Sequence, residues 1–160
     1  MSKVRDYKEL SSTLKKIAMR LMADQELCKL LRYSDTNPLS HPDFDTKDVL
    51  NNEIRFMPLV GAESKEKSKI AMLFTGGGKD PDNRDIRNVS LQIFVYTPYS
   101  EWVISGDDLR IFLIMSKIEE DLDGKLVDGI GKLRSDDFEL ALTTDEMCAY
   151  RMGFSFDVFS

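Results

Sequence analysis

Residues that carry chemistry are scarce in this chain of 160 residues, which has two cysteines and a single histidine, His41. Cys28 and Cys148 are far apart in the sequence, lack a CxxC partner and have apolar neighbours. This pattern predicts two small buried hydrophobic residues that form neither a disulfide nor a metal site. Triad or dyad catalysis would depend wholly on His41. We therefore expect a protein that is not an enzyme.

Long apolar runs are also missing. The run at residues 111–115 is far shorter than the roughly 20 residues that a membrane-spanning helix needs. The charged N-terminus has no apolar segment of the kind found in secretory signals. These absences predict a chain that does not enter a membrane and that is made and assembled in the cytoplasm.

Positive charge is in deficit, because the formal net charge is -6 at pH 7. A surface that grips duplex DNA needs clustered Lys and Arg to release the counterions of the phosphates. The charge balance therefore argues against DNA binding by the whole surface. It leaves room for DNA to pass close by without specific contacts.

The length and the 42% share of hydrophobic residues suit a compact fold with one core, and no internal repeat is visible. We expect one α+β domain over residues 1–160. Apolar residues at three- and four-residue steps predict a helix over 6–22. A second helical segment over 24–33 would have Asp24 as its N-cap. A long irregular loop with two prolines follows at 34–48.

Two strands are predicted next, at residues 52–60 and 69–74. Pro58 has no backbone N–H to donate and restricts the first of them to an edge, a bulge or a strand end. The short polar stretch between them is typical of a hairpin, so we expect antiparallel neighbours. The Gly-rich, charged residues 75–88 that follow predict a flexible arm between strands.

The clearest pattern lies between residues 89 and 124. Ser90–Thr97 alternates with apolar residues on both faces, which predicts a central strand or one whose outer face meets a partner. An amphipathic helix follows over about 107–123. Ser105 or Asp107 would cap its start, and Gly124 its end.

Two further strands are predicted at residues 132–142 and 147–159, with a TTDE turn between them. The order of these elements is helix, three strands, helix and two strands. It predicts an α+β fold with a mainly antiparallel sheet of about five strands, on which the N-terminal helix and the second helix pack.

Residues 76–79, GGGK, invite comparison with phosphate-binding loops. The pattern fails because a Walker motif needs a Gly where Leu73 stands and a Ser or Thr where Asp80 stands. It also needs a helix after the loop, whereas here a strand is predicted. We expect an inter-strand arm and no nucleotide.

Clustered acidic residues raise the question of a metal. His41 lies close to two carboxylates in one loop, and a second group lies after the glycines. The two sets are His41, Asp43 and Asp45, and Asp80, Asp82 and Asp85. Zinc would need further ligands for the first set, and a calcium loop would need a Gly and a terminal Glu in the second. We therefore predict turn-forming, solvated roles and no metal.

Adjacent carboxylates also occur at two pairs of positions. Consecutive residues point in different directions on a helix or a strand, so such pairs are typical of solvated faces. The pairs are Glu119 with Glu120 and Asp136 with Asp137. We assign no catalytic residue to them.

Aromatic residues are left over once the cores of these elements are filled. Phe44 lies in the long loop, and Tyr99 and Trp102 follow the central strand. Phe94 and Tyr96 lie on that strand's second face. Aromatic side chains are favoured anchors of protein interfaces, although a core role suits each of them equally. The surplus predicts an assembly subunit.

Three strings occur in an order that carries a family resemblance: LQIFVYTP at 91–98, DDLRIFLIMSKIEEDLDGK at 107–125 and YRMGFSFDVF at 150–159. This order resembles the tail-terminator and tail-completion proteins of long-tailed bacteriophages. The resemblance implies a small α+β subunit in a hexameric ring at the head-proximal end of the tail tube. Such a ring ends tail growth and joins the tail to the head connector.

The resemblance also implies partners and a location. These are further copies of the chain, the tail tube protein and the head connector or stopper protein, in the tail or neck of a virion. DNA would pass through without specific binding, and no cofactor is implied. A head-completion or other neck protein stays open as an alternative, as does a small hydrolase or metal-dependent enzyme.

The surplus of aromatic residues and the family resemblance together indicate candidate contact residues. The Gly-rich arm is predicted to reach a neighbouring subunit or to line the channel, and the loop aromatics to meet a partner. The predicted interface comprises Gly76, Gly77, Gly78, Lys79, Asp80, Arg84, Phe44, Tyr99 and Trp102.

Overall fold

The computed structural model describes residues 7–57, 67–127 and 131–159. Helix α1 spans Lys8–Met22, α2 spans Gln25–Arg32 and α3 spans Arg110–Leu122. Asp24 caps α2 as predicted, since its side chain accepts a hydrogen bond from the Leu27 backbone N–H at 3.2 Å. Within the described ranges, no helix has both the length and the apolar character that crossing a membrane would take.

Seven strands lie in the described residues. They are β1 Ile54–Arg55, β2 Lys69–Lys79, β3 Ile86–Pro98, β4 Val103–Ile104, β5 Asp108–Leu109, β6 Arg134–Thr143 and β7 Met147–Phe159. Five of them form one sheet in the order β1-β2-β3-β7-β6, and β4 pairs with β5. Every pairing is antiparallel except that of β1 with β2. The predicted α+β fold with a mainly antiparallel five-stranded sheet is confirmed.

The three helices pack against one face of this sheet. Alternate residues of β3 and β7 point to that face because strand side chains alternate. The fully buried residues there include Ile17, Leu21, Leu27, Leu31, Leu91, Ile93, Val95, Ile111, Ile114, Ile118, Phe154 and Phe156. A smaller buried cluster forms on the opposite face, with Ala71, Tyr96, Met147 and Ala149. Strand β3 is third of five, so its predicted central position is confirmed.

The predicted hairpin between the first two strands is wrong. Strand β1 runs parallel to β2, with Ile54 opposite Ile70 and Arg55 opposite Ala71. Two parallel strands need a longer connection than a hairpin turn, because the chain must return to the same end of the sheet. The strand is also shorter than predicted, and Pro58 with the rest of the predicted strand lies outside the described residues.

The predicted flexible arm is also wrong for its glycines. Strand β2 continues through Gly76, Gly77 and Gly78 to Lys79, and each of these residues is opposite a residue of β3. Glycine weakens a strand but keeps its backbone N–H and C=O groups, and here the ladder with β3 engages them. Only residues 80–85 form the turn between the two strands.

The predicted cap of the last helix is wrong as well. Helix α3 begins at Arg110, with Leu109 in the capping position and no side-chain cap. Gly106 and Asp107 have φ values of +89° and +62°, which lie outside the right-handed helical region. The chain turns there and forms the β4–β5 pair before the helix begins. At the other end the prediction is confirmed, since Gly124 has a φ of +72° just after the helix.

The two C-terminal strands agree with the sequence pattern. Strand β6 begins and ends within two residues of the predicted bounds, and β7 matches them. Residues 144–146 make the predicted turn, in which the Thr144 backbone N–H donates to the Met147 carbonyl at 2.9 Å. The sheet therefore ends at β6, whose outer side is a free edge within the described residues.

Candidate functional site

Strand β6 forms one edge of the sheet and is exposed along nearly its whole length. In the described residues it pairs only with β7, and two bulges interrupt that pairing. Phe138 is 63% exposed and Leu140 is 53% exposed, although their partners Met152 and Tyr150 face the helices. Large apolar side chains in a row on a free strand edge are typical of a contact surface.

A groove lies between this edge and helix α3. Its volume is about 430 Å³. Its lining residues are Phe112, Met115, Ser116, Glu119, Ser135, Asp136, Asp137, Phe138 and Met152. The Tyr150 ring lies between the two exposed aromatic residues, with its centroid 5.3 Å from that of Phe112 and 6.3 Å from that of Phe138. The lining thus combines apolar and aromatic residues with three acidic residues.

Arg151 of β7 fixes the edge strand from the other face of the sheet. Its guanidinium contacts Asp137 and Glu139, each at 2.9 Å, and also the side-chain oxygen of Gln92. The cation favours the ionised carboxylate, so it holds the pKa of Asp137 below its usual range. Two of the edge strand's acidic residues are therefore already paired within the chain.

The opposite edge of the sheet is open in a different way. Strand β1 covers β2 only at Ile70 and Ala71, so no described strand pairs with the outer side of residues 72–79. A second groove, of about 450 Å³, lies there against the start of α1. Its lining residues are Tyr7, Leu10, Phe74, Thr75, Gly76, Gly77, Gly78, Lys79, Arg87 and Val89. The charged residues of this groove are thus both cations.

The structure places the predicted interface residues of the arm on the hairpin of β2 and β3. Gly76 and Gly78 have open space where a side chain would begin. Asp80 closes the turn, because its carboxylate accepts hydrogen bonds from the Asp82 and Asn83 backbone N–H groups at 2.8 and 3.0 Å. Arg84 is exposed at the tip. The hairpin is thus an ordered extension of the sheet.

The predicted aromatic contact residues lie elsewhere. Tyr99 and Trp102 follow the far end of β3, about 40 Å from the hairpin tip for a strand of this length. Their rings meet edge to face at 5.4 Å, and Tyr99 is 41% exposed. Phe44 packs against the core and against Tyr33. The structure therefore does not bring the nine predicted residues together into one surface.

The side chains of the loop that contains the only histidine make contacts that stabilise the fold. The His41 ring stacks on Tyr33 with centroids 3.8 Å apart, and its Nε2 lies 3.0 Å from Asp35. Asp43 instead pairs with Lys29 at 2.7 Å, and Asp45 caps a short helical turn. The three residues considered as metal ligands thus have three different partners. No cluster of three metal-ligating side chains occurs in the part of the chain that the structure describes.

The cysteines, the three glycines and the adjacent carboxylates also lie in settings that suit a structural role. Cys28 and Cys148 are buried as predicted, and burial raises the pKa of the Cys28 thiol to about 12, which keeps it protonated at neutral pH. Gly76–Gly78 lie in a strand of a hairpin, which is not the strand-to-helix setting of a phosphate loop. Glu119 accepts a hydrogen bond from Ser135, and Asp136 accepts one from Ser155.

One charged residue inside the helical layer escaped the sequence analysis. Arg110 is fully buried, and its guanidinium donates to the backbone carbonyls of Leu30, Tyr33, Asp35 and Glu101. It thereby holds the start of α3 against the end of α2. Three of its four backbone partners lie 75 to 80 residues away in the sequence, so no local pattern could reveal this role.

The edge strand itself was predicted, but not its exposure. The alternation of Phe138, Leu140 and Leu142 in the sequence FELAL was the available signal. In isolation it predicts an inward apolar face, as for any half-buried strand. Only the strand order shows that β6 lies beyond the cover of the helices.

The chain is similar to one family profile and to solved structures. No curated protein matches the chain. A chain described as "Virion of native gene transfer agent (GTA) particle" has a similar structure, with a TM-score of 0.58 and 8% sequence identity. The match covers 97% of this chain and 100% of that one, and at this identity it shows a shared fold.

The sequence match is to the profile of a family named YomW, over residues 24–156. That range includes α2, the whole sheet apart from the last residues of β7, and α3. Since it takes in far more than half of the chain, the protein is a member of the YomW family.

Proposed function

We propose that the chain is a structural component of a phage or phage-like virion. The observation that carries this proposal is the end-to-end correspondence with a chain of a gene transfer agent virion. The match covers 97% of this chain and 100% of the other. The exposed apolar edge on β6 supports the same conclusion, because assembly subunits need such surfaces.

Within the virion, we propose a ring at the head-proximal end of the tail tube. The ring would terminate tail growth and join the tail to the head connector. The resemblance of the strings at 91–98, 107–125 and 150–159 supports this assignment, as does the α+β fold. The acidic net charge suits a ring through which DNA passes without being held.

The proposal assigns the chain an architectural and not a catalytic role. The side chains that might have reacted are occupied in other ways: His41 stacks on Tyr33, and the thiol of Cys28 is buried. His41→Ala would test this directly. We expect it to leave particle formation intact, and a loss of particles with a stably folded variant would favour the enzyme alternative.

Particle composition tests the general proposal. Purified particles from the genome that encodes the chain should contain it by mass spectrometry, and gold-labelled antibody should mark one fixed position on each particle. Absence of the chain from intact particles would overturn the virion assignment.

Deletion of the gene tests the proposed role as a tail terminator. Without a terminator, tail tubes should grow to irregular lengths and filled heads should remain unjoined. Tails of normal length beside heads that lose their DNA would favour the head-completion alternative. Normal infectious particles would contradict both the tail-terminator role and the head-completion role.

A further inference from the structure

Each copy of the chain carries two open sheet edges, and they are at opposite ends of the same sheet. One is β6, and the other is the outer side of β2 beyond Ala71. An edge strand presents unpaired N–H and C=O groups to any strand that approaches it. Many proteins cover such edges, whereas here both remain accessible within the described residues.

The regular parts of the two edges match in length. On β6 the segment Asp137–Leu140 pairs without interruption between two bulges. On β2 the segment Gly76–Lys79 pairs without interruption after the bulge at residue 75. Each edge thus offers four consecutive residues in regular strand geometry. A bulge twists an edge away from partners, so these segments are where another strand would fit best.

The grooves beside the two edges carry opposite charge. The groove at β6 is lined by Glu119, Asp136 and Asp137 and by no cation, although Arg151 pairs with the Asp137 carboxylate from the other face of the sheet. The groove at β2 is lined by Lys79 and Arg87 and by no carboxylate. Both grooves lie on the side of the sheet where the helices pack, since α3 borders the first and α1 the second. If the sheet continued from one copy into the next, the two grooves would meet.

Strand direction permits that continuation. The strands β2, β3, β7 and β6 alternate in direction, so β6 runs opposite to β2 in the same chain. A next copy in the same orientation would place its β2 antiparallel to β6. Antiparallel pairing has the better hydrogen-bond geometry of the two arrangements.

We propose that the β6 edge of one copy pairs head to tail with the β2 edge of the next, with Phe138–Leu140 against Gly77–Lys79. In this register Phe138 and Leu140 lie on the same face of the joined sheet as Lys79 and Gly77, the face on which the helices pack. This seam extends one sheet across subunits and covers the exposed Phe138 and Leu140. A head-to-tail contact generates a ring when its rotation closes. The proposal rests on the proposed function for its purpose, a ring in the virion, but its evidence comes from the two edges.

A symmetric pairing of β6 with β6 is the competing arrangement for a second copy. It would bring Asp136, Asp137 and Glu139 of one copy against the same residues of the other, and the single guanidinium that pairs with them, that of Arg151, offsets only part of their charge. Like charges opposite each other across a strand pair are destabilising. The charge pattern therefore favours the head-to-tail contact over the symmetric dimer.

Cross-linking of two single-cysteine variants separates these arrangements. Glu139→Cys marks the β6 edge, and Gly78→Cys marks the β2 edge on the same face of the sheet, where no heavy atom lies within 4 Å of an added Cβ. A short bismaleimide tolerates an offset of a residue or two between the copies. The two native cysteines are buried and poorly accessible to the reagent.

We expect the mixed variants to cross-link with a yield about tenfold above that of either variant alone. Val103→Cys, which is 52% exposed and lies on β4, is the matched control for mixing with Gly78→Cys and should give only background. Cross-linking of Glu139→Cys with itself would establish the symmetric dimer and overturn the proposal. Equal yields in every mixture would also overturn it.

A charge exchange tests the seam without any label. Lys79→Glu and Asp136→Lys should each weaken self-association about tenfold in sedimentation velocity, and the double variant should recover most of it. A double variant weaker than both single variants would contradict the proposed contact. Failure of the seam in these experiments leaves the virion assignment intact, because that assignment is measured on particles.

Discussion

Phe138 on the outermost strand lies 6.3 Å from Tyr150, ring centroid to ring centroid, yet 63% of Phe138 remains exposed. Tyr150 in turn contacts Phe112 of α3 at 5.3 Å. The three rings form a strip that begins at the helical layer and ends at the free edge of the sheet. An aromatic strip of this kind gives a neighbouring subunit an apolar surface beside a row of open backbone groups.

Two phenylalanines in adjacent strands should differ sharply in their effect on stability. Phe154 is 1% exposed in the core, and Phe154→Ala should lower the free energy of unfolding by about 3–5 kcal/mol because it leaves a cavity. Phe138→Ala removes an exposed ring and should change it by less than about 0.5 kcal/mol. Chemical denaturation of both variants measures the difference. A large loss of stability in Phe138→Ala would contradict the view that this residue serves contacts and not folding.

Arg110 should be among the most sensitive positions of the fold. Arg110→Met removes the donor shared by four backbone carbonyls, among them those of Leu30 and Tyr33, and leaves them buried. Unsatisfied buried polar groups predict a loss of about 3 kcal/mol in urea unfolding. Arg84→Met, at the exposed hairpin tip, is the matched control and should cost less than about 0.5 kcal/mol. Equal effects in the two variants would show that the buried bonds contribute little.

Arg151 should hold the edge strand in place. Arg151→Met removes the contacts to Asp137 and Glu139, and we expect a loss of about 1–2 kcal/mol with faster amide exchange along β6. Arg134→Met, whose guanidinium lies 3.5 Å from Asp157, is the control with little expected effect. If exchange in β6 is the same in both variants, the pairing with β7 alone defines the edge.

Asp121 should make stability depend on pH. Burial, the nearby Asp24 carboxyl and then Glu120 raise the pKa of Asp121 to about 8, from an ordinary value of 3.8. The folded chain then binds more protons than the unfolded chain between these values. Stability is therefore fully present below pH 3.8, falls as the pH rises towards 8, and is level above it. After allowance for solvent screening, we expect a fall of about 1–2 kcal/mol.

Two variants test whether Asp121 causes the pH dependence of stability. Asp121→Asn should remove most of the fall in stability across that pH range. Asp24→Asn removes the neighbouring charge while an Asn still caps helix α2, so the fall should become smaller. Denaturant midpoints measured from pH 4 to pH 9 give the comparison. An unchanged profile in Asp121→Asn would assign the pH dependence to other groups.

Much of the fold could be predicted because its patterns are local. The two N-terminal helices follow from apolar spacing and the Asp24 cap, and β7 follows from strict alternation. The errors occurred where a distant partner decided the outcome. The direction of β1 depends on where it meets β2, and Gly76–Gly78 became a strand because β3 runs beside them. The start of α3 depends on a turn with two positive φ values, which Gly106 favours but does not require.

The candidate contact surface was less predictable than the fold. The arm was identified, but its predicted contacts stay predictions, and so do the single domain and the hexameric ring. The exposure of Phe138 and the hydrogen bonds of the buried Arg110 were not predicted. Both are properties of the folded chain and not of the local sequence. Nothing in the local sequence separates an apolar strand residue inside the core from one at the rim.

The sequence by itself determined the secondary structure of most segments, the burial of the cysteines and the overall fold class. These depend on periodicity and composition, which the backbone converts into helices and strands over short distances. Tertiary structure alone decided the strand order, and with it which apolar residues remained in solvent. The alternation of Phe138 and Leu140 is the same as that of the core strands, but β6 is last in the sheet and lies beyond the helices that cover the others.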